Sequence, residues 1–374
     1  MDASRRALLA APALLAAAPA AAQSEVIATG RGPMRLSVFA AGLERPWGGG
    51  FLPDGRFIVS ERPGRVRLIA PDGRLSAPLA GVPAVEPGGQ GGLLDLRPAP
   101  DVARTGEVFF AASMLVEGGA LTRLWRARLA GERLEGAAPV LDATPAQARG
   151  RLHYGGRIAF SPDGRHLFLT TGDRNEQRER AQRGDDLAGK IIRLTREGMI
   201  PADNPFVGRP GWRGEIWTLG HRNPQGIAFH PVTGSLLAAE FGPRGGDELN
   251  LIEPGRNYGW PHATHGREYW GGSIAGGRTT GPGLTDPLRV WTPSISPSGI
   301  AFAPPEGPWR GDLFLACLNP PGLLRLEMAG DRPGAEERLL WGQSRLRQVV
   351  FAPDGALLAL TDETQGRILR LAPA

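Results

Sequence analysis

The sequence predicts an all-β fold, a six-bladed β-propeller of four-stranded antiparallel blades, and three observations carry that expectation. A short motif recurs, in which an apolar residue leads into Pro-Asp-Gly and then a brief apolar strand. Gly (54) and Pro (35) are abundant, as in a chain of many turns. No stretch sustains a helical period.

The clearest copies of the motif are Phe51-Leu52-Pro53-Asp54-Gly55, Phe160-Ser161-Pro162-Asp163-Gly164 and Phe351-Ala352-Pro353-Asp354-Gly355. They lead into Phe57-Ile58-Val59, Leu167-Phe168-Leu169 and Leu357-Leu358-Ala359-Leu360. Weaker copies begin at Leu96, Phe229 and Phe302. The Asp-Gly step suits a hairpin, because Gly tolerates positive φ and Asp caps its own backbone. Their irregular spacing argues against a solenoid, whose repeats must stack at a fixed period, and for blades carrying long loops. Ring closure needs the last strand beside the first, so Gly366–Leu371 is expected to complete a blade with the start of the mature chain. Residues 174–188 are polar and read as a loop or short helix.

Apolar residues make up 41% of the 374, enough for one large all-β domain over residues 23–374. Lys+Arg 43 against Asp+Glu 38 leaves a net charge of +5, dispersed without a basic run, which argues against nucleic-acid binding. Cys317 is the only cysteine. That excludes an internal disulfide, a Cys-based zinc cluster and a covalently attached c-type haem.

Residues 1–22 read as a cleaved signal peptide. Arg5 and Arg6 precede the apolar run Ala7–Ala18, and Ala20-Ala21-Ala22 supplies small residues for cleavage. The run is too short and Ala-rich for a stable membrane span. Ser4-Arg5-Arg6-Ala7-Leu8-Leu9 fits a twin-arginine signal or an ordinary one with adjacent arginines. Either implies a periplasmic or secreted protein with no stable membrane insertion.

Four loops carry unusual residues. Gly88-Gly89-Gln90-Gly91-Gly92 lets backbone approach a ligand closely and leaves Gln90 as its only side chain, or is a flexible turn. His153-Tyr154-Gly155-Gly156-Arg157 is followed, after a hairpin-like return, by Thr171-Gly172-Asp173. His153 is a candidate base and Asp173 its orienting carboxylate, although a lone histidine is more often structural. Gly220-His221-Arg222-Asn223-Pro224-Gln225-Gly226 offers a planar cation and an amide, suited to carboxylate and carbonyl oxygens or to a salt-bridged surface turn. Glu240-Phe241-Gly242-Pro243-Arg244-Gly245-Gly246-Asp247-Glu248, ending in Asn257-Tyr258-Gly259-Trp260, is rich in oxygen and free of sulfur, a chemistry for calcium rather than zinc.

These loops, with Gly42-Leu43-Glu44-Arg45-Pro46-Trp47 and Arg345-Leu346-Arg347, resemble in order and joint presence the soluble quinoprotein glucose/aldose sugar dehydrogenases. The resemblance runs from about Gly42 to Leu371. It implies pyrroloquinoline quinone (PQQ) and Ca2+ as cofactors, a sugar substrate and a diffusible electron acceptor. It further implies His153 as the base for the anomeric hydroxyl and Asp173 as its partner. Gln90, Arg222, Asn223, Arg345 and Arg347 are implied at the cofactor, Gly242 and Pro243 as carbonyl ligands of one calcium, and Glu248 and Tyr258 as ligands of a second. One departure stands out: Asn319 falls near the position where the family commonly places a cofactor-contacting lysine. The alternatives are a lactonase-like hydrolase on the same fold, or a binding propeller that has lost PQQ affinity and its chemistry.

Overall fold

A computed structural model describes residues 24–374, so the expected signal peptide lies outside the described residues. The chain forms six antiparallel sheets with almost no helix, the six blades of a propeller. Four are four-stranded. They comprise Leu93–Pro98 through Arg133–Asp142, Ile158–Phe160 through Ile216–Leu219, Pro224–Phe229 through Arg289–Trp291, and Pro297–Phe302 through Arg332–Leu339. The other two depart from the expected count. Pro46–Phe51, Phe57–Glu61 and Arg65–Ile69 make a three-stranded sheet, extended only by a single bridge from Ile69 to Leu75. The closing blade has five strands, because Met34–Leu43 pairs with Gly366–Pro373 and Glu25–Ile27 is added outside it. The last strand therefore lies beside the first, as ring closure requires.

In each blade the first strand lies nearest the axis. Pro46–Phe51, Leu93–Pro98, Ile158–Phe160, Pro224–Phe229, Pro297–Phe302 and Leu346–Phe351 touch one another in sequence around the ring. The second strands are covered by neighbouring blades on both faces. Phe57–Glu61, Leu236–Glu240 and Leu313–Leu318 are accordingly buried at every residue and read as apolar runs rather than alternations. Outer strands such as Arg332–Leu339 are largely exposed and polar.

The repeated motif is the turn from the first strand to the second, and its phenylalanines wedge neighbouring blades together. Phe160 meets Phe109 edge-to-face at 5.4 Å, Phe229 meets Phe168 at 5.4 Å and Phe351 meets Phe314 at 5.6 Å. Such pairs contribute roughly 0.5–1.5 kcal/mol each beyond the area they bury. These turns all lie at one end of the axis, where Phe51, Phe160, Phe229 and Phe302 line an open apolar cup of about 670 Å³. First strands therefore begin, and second strands end, at the opposite end.

One side chain fills the axis between the two ends. Arg157 is 1% exposed and its guanidinium reaches the other five blades. It donates to the carbonyls of Gln225 (2.6 Å), Arg347 (2.6 Å) and Trp47 (3.1 Å), to Ser298 Oγ (3.3 Å) and to Asp95 Oδ1 (3.4 Å). It lies over the Trp47 ring at 3.8 Å. Burial pulls its pKa down to about 9, and Asp95, itself buried, is its counter-charge.

Candidate active site

The end of the axis opposite the turns is a polar well of about 300 Å³, at the lower limit of the range typical of small-ligand pockets. Most of its residues lie just before a first strand or just after a second, while Trp47, Gln225 and Arg347 lie within first strands and Tyr269 in a longer loop. Arg45, Gln90, His153, Arg222, Asn223, Ser296 and Arg345 are of the first kind, and Arg62, Phe241, Asn319 and Asp362 of the second. Eight residues singled out in the sequence are thus brought together: Gln90, His153, Arg222, Asn223, Gly242, Pro243, Arg345 and Arg347.

His153 and Asp173 are joined directly, with His153 Nδ1 2.7 Å from Asp173 Oδ1. The hairpin return between them brings residues 20 apart into contact. His153 takes a positive φ of 49° and its N–H donates to Gln90 Oε1 at 2.9 Å, which ties two blades at the well. The approach needs Gly172, since a Cβ there would sit 2.2 Å from the His153 carbonyl and 2.9 Å from Asn223 Oδ1. Asp173 is fully buried, accepts the Asn175 N–H at 2.7 Å, and takes the Trp260 indole N–H on Oδ2 at 2.7 Å. Burial raises its pKa, but the hydrogen bond and charge of His153 and the charge of Arg222 outweigh that and hold it below the usual carboxylate value. Burial, and then the Arg222 charge, hold His153 below the usual imidazole value against the pull of Asp173. The imidazole is therefore neutral near pH 7. With Nδ1–H donated to Asp173, its Nε2 lone pair has no partner among the described residues.

Arg222 and Asn223 are 5% and 3% exposed, which removes the surface-turn reading. Asn223 Oδ1 accepts the Gly155 N–H at 3.1 Å. Arg222 makes no ion pair among the described residues; its guanidinium donates to the carbonyls of Phe241 (3.1 Å) and Gly242 (2.8 Å) and lies 5.4 Å from the Trp260 ring. Its backbone N–H is fixed by Glu240 Oε2 at 2.8 Å. Arg345 and Arg347 share Asp362 Oδ2, at 3.1 and 2.9 Å. Among the described residues Asp362 is the only carboxylate lining the well, against Arg45, Arg62, Arg222, Arg345 and Arg347. Five guanidinium groups against one carboxylate suit a multiply charged anion.

Among the described residues no group of three or more His, Cys, Asp or Glu side chains exists that could hold a metal. A cation in the well must therefore draw on carbonyl oxygens. Gly242 and Pro243 line the well, and their loop is anchored by Asp247, which accepts the N–H groups of Gly242 (2.8 Å), Ile295 (2.8 Å) and Ser296 (2.7 Å). The Gly242 carbonyl already accepts from Arg222 and keeps one lone pair free for a cation.

Glu248 and Tyr258 are not in the well. They border a separate cleft beside it of about 10 Å³, room for one ion or water, whose wall also includes Glu240 and the well residues Arg222 and Gly242. Burial and the nearby Glu240 push the Glu248 carboxyl far above its usual pKa. The Tyr258 hydroxyl points away, donating to the Leu251 carbonyl and accepting from the Glu253 N–H, and its ring stacks on His221 at 4.8 Å. Only its backbone carbonyl is left for a ligand role.

The sequence reading assigned no role to Arg45, Arg62, Trp260, Glu240 or Asp362. Arg45, Arg62 and Asp362 share one signal, a position immediately outside the end of a first or second strand, and Glu240 closes a second strand; Trp260 lies instead in the long loop between the third and fourth strands of its blade. Tyr269 lines the well and its hydroxyl lies 3.4 Å from Arg222 Nη2, whereas Trp270 is 81% exposed. Asn319 lines the well, and Arg325, the next cation along the chain, pairs with Asp312 and Glu337 away from it.

Fold and site together define a propeller whose axial well sets an excess of arginine next to a His–Asp pair. Residues 43–370 match the family model for glucose/sorbosone dehydrogenases, and the chain belongs to that family. It is 39% identical over 349 residues to the aldose sugar dehydrogenase YliI of Escherichia coli K12, covering 91% of this chain and 93% of that one. The apo-form crystal structure of the soluble aldose sugar dehydrogenase of Escherichia coli superposes with a TM-score of 0.87 at 37% identity, covering 91% of this chain and all of that one. The PQQ-bound aldose sugar dehydrogenase of Streptomyces coelicolor gives a TM-score of 0.75 at 33% identity, covering 94% of this chain and 98% of that one.

Proposed function

We propose that the protein is a PQQ- and calcium-dependent dehydrogenase that oxidises aldose sugars at the anomeric carbon to lactones and passes the electrons to a diffusible acceptor. The observation that carries this reading is a neutral His153, held by Asp173, facing a well with a large excess of arginine. The donor set fits the cofactor, since a tricarboxylic ring needs clustered cations and a flat, enclosed site. Gln90, Arg222, Asn223, Arg345 and Arg347 would hold it. The carbonyls of Gly242 and Pro243 would hold one calcium, and Glu248 with the Tyr258 carbonyl a second, structural one.

When bound, PQQ polarised by calcium supplies the hydride acceptor. The chain supplies position and proton transfer. His153 Nε2 takes the anomeric hydroxyl proton as the C1 hydride departs, so the alcohol becomes the lactone carbonyl. Asp173 keeps the proton of Nδ1 in place and stabilises the imidazolium that forms. Trp47, 1% exposed beneath Arg347, closes the floor of the well against water.

The segment 1–22 is proposed to direct export, with residues 23–374 as one domain acting in the periplasm or outside the cell. Among the described residues no helix is long and apolar enough to cross a membrane. Reconstituting purified apo-protein with calcium and PQQ and assaying aldoses with an artificial dye tests the reading. Dye reduction that needs both additions is the expected result. Lactone hydrolysis without quinone would replace it with the hydrolase reading, and absence of quinone uptake with a binding propeller.

A further inference from the structure

The arginines proposed to meet the cofactor carboxylates are not the ones most free to do so. Arg345 and Arg347 already share Asp362, Arg345 donates to the Leu318 carbonyl at 2.9 Å, and Arg347 donates to Gln225 Oε1 at 2.6 Å. Arg45 and Arg62 line the same well, and among the described residues neither side chain makes an ion pair or a hydrogen bond. Their backbones are fixed nonetheless. The Arg62 N–H donates to the Arg45 carbonyl at 3.0 Å, the Arg45 N–H to the Glu363 carbonyl at 2.7 Å, and the Leu93 N–H to the Arg62 carbonyl at 2.9 Å.

Two further features are costly unless something uses them. Arg45 has φ of 48° immediately before Pro46, a conformation unfavourable for a residue with a Cβ and doubly so before proline. Arg62 is drawn below the usual guanidinium pKa by burial and by the charges of Arg45 and Arg347, with only Asp362 opposing. Strained backbone and unpaired like charges are retained where a ligand repays them.

We propose that Arg45 and Arg62 form a second carboxylate-binding fork in the well, supplying the cationic charge that neutral Asn319 does not. The inference rests on the cofactor reading for the identity of its ligand, a planar polycarboxylate, but not for its geometry. Both residues come from the three-stranded blade: Arg45 directly precedes its first strand and Arg62 directly follows its second. The backbone that carries the fork is therefore fixed before the anion arrives.

The test is binding, measured by calorimetry and thermal shift on apo-protein in calcium, with two probes: PQQ and benzene-1,3,5-tricarboxylate. Arg45→Gln and Arg62→Gln are each expected to weaken PQQ at least tenfold. Arg62→Lys, which keeps the charge, should retain most of the affinity, and Arg74→Gln, at an exposed ion pair outside the well, should change nothing. The salt dependence of binding should flatten in the two glutamine variants. If the parent binds PQQ and both glutamine variants bind it equally well, the fork is overturned while the cofactor reading stands. If the parent ignores PQQ but binds the tricarboxylate through Arg45 and Arg62, the fork stands and the cofactor reading falls. If neither anion binds the parent, both are overturned.

Discussion

The Trp260 indole donates to Asp173 Oδ2 at 2.7 Å and leaves Oδ1 for His153 Nδ1 at the same distance. Each oxygen of this buried carboxylate thus has a fixed task. The indole lies between two guanidinium groups, Arg178 and Arg222, each 5.4 Å from its ring. Arg178 is in turn clamped to Glu268, so an ion pair bears on the ring that holds Asp173.

Asp173→Asn removes the acceptor that fixes the His153 tautomer. Steady-state kinetics of the reconstituted enzyme are expected to show kcat lowered by about 10²–10⁴-fold. Trp260→Phe keeps the packing and loses only the N–H, so a loss of roughly tenfold is expected, in line with about 1.5–3 kcal/mol for a hydrogen bond to a charged group, only partly expressed in the barrier. An unchanged Trp260→Phe would confine the indole to a packing role.

Histidine NMR on the metal- and cofactor-free protein should place the His153 titration below about 6.5, the unperturbed imidazole value, in keeping with its burial and the Arg222 charge. Arg222→Gln should move it upward. The sign for stability follows. A group whose folded pKa is depressed favours folding above its unfolded value, so this contribution is complete above about pH 6.5 and is lost as pH falls through the folded value. Asp173, also depressed, adds a second loss further into acid, below about pH 3.9.

Glu248 and Glu240 face one small cleft, and Glu248 is pushed far upward in pKa. Glu248→Gln should therefore leave the calcium-free protein as stable as the parent or more so. It should also abolish part of the calcium-induced rise in melting temperature. A cation at 100 times its Kd contributes about 2.7 kcal/mol, readily seen by thermal shift. An equal calcium response in both proteins would remove Glu248 from the ligand set.

Arg157→Met should destabilise strongly. Truncating one partner of a buried pair costs roughly 3–5 kcal/mol, and here three carbonyls lose their donor together while Asp95 is left with Arg97 as its charged partner. A urea unfolding midpoint near that of the parent would show that the axis reorganises around the loss.

The fold was legible because the six Phe- or Leu-led turns survive as local chemistry. Phe51, Phe160, Phe229, Phe302 and Phe351 each end a first strand, and Leu96 lies within one. The strand counts of two blades were not legible, since Leu75 makes only a bridge and Glu25–Ile27 joins from outside. In the well, residues inside glycine-rich loops were found because such loops look unusual. Arg45, Arg62 and Asp362 were missed because each adjoins an ordinary apolar strand, and only the closed ring shows which strand ends converge.

Structural turns crowd one rim of the ring and ionic groups the other, with Arg157 as the partition between them. The two ends carry separate tasks, blade packing at one and charge at the other. Loops at the ionic rim can lengthen or change sequence without disturbing the aromatic wedges that hold the blades. The lining of the well can thus change while the packing of the blades stays as it is.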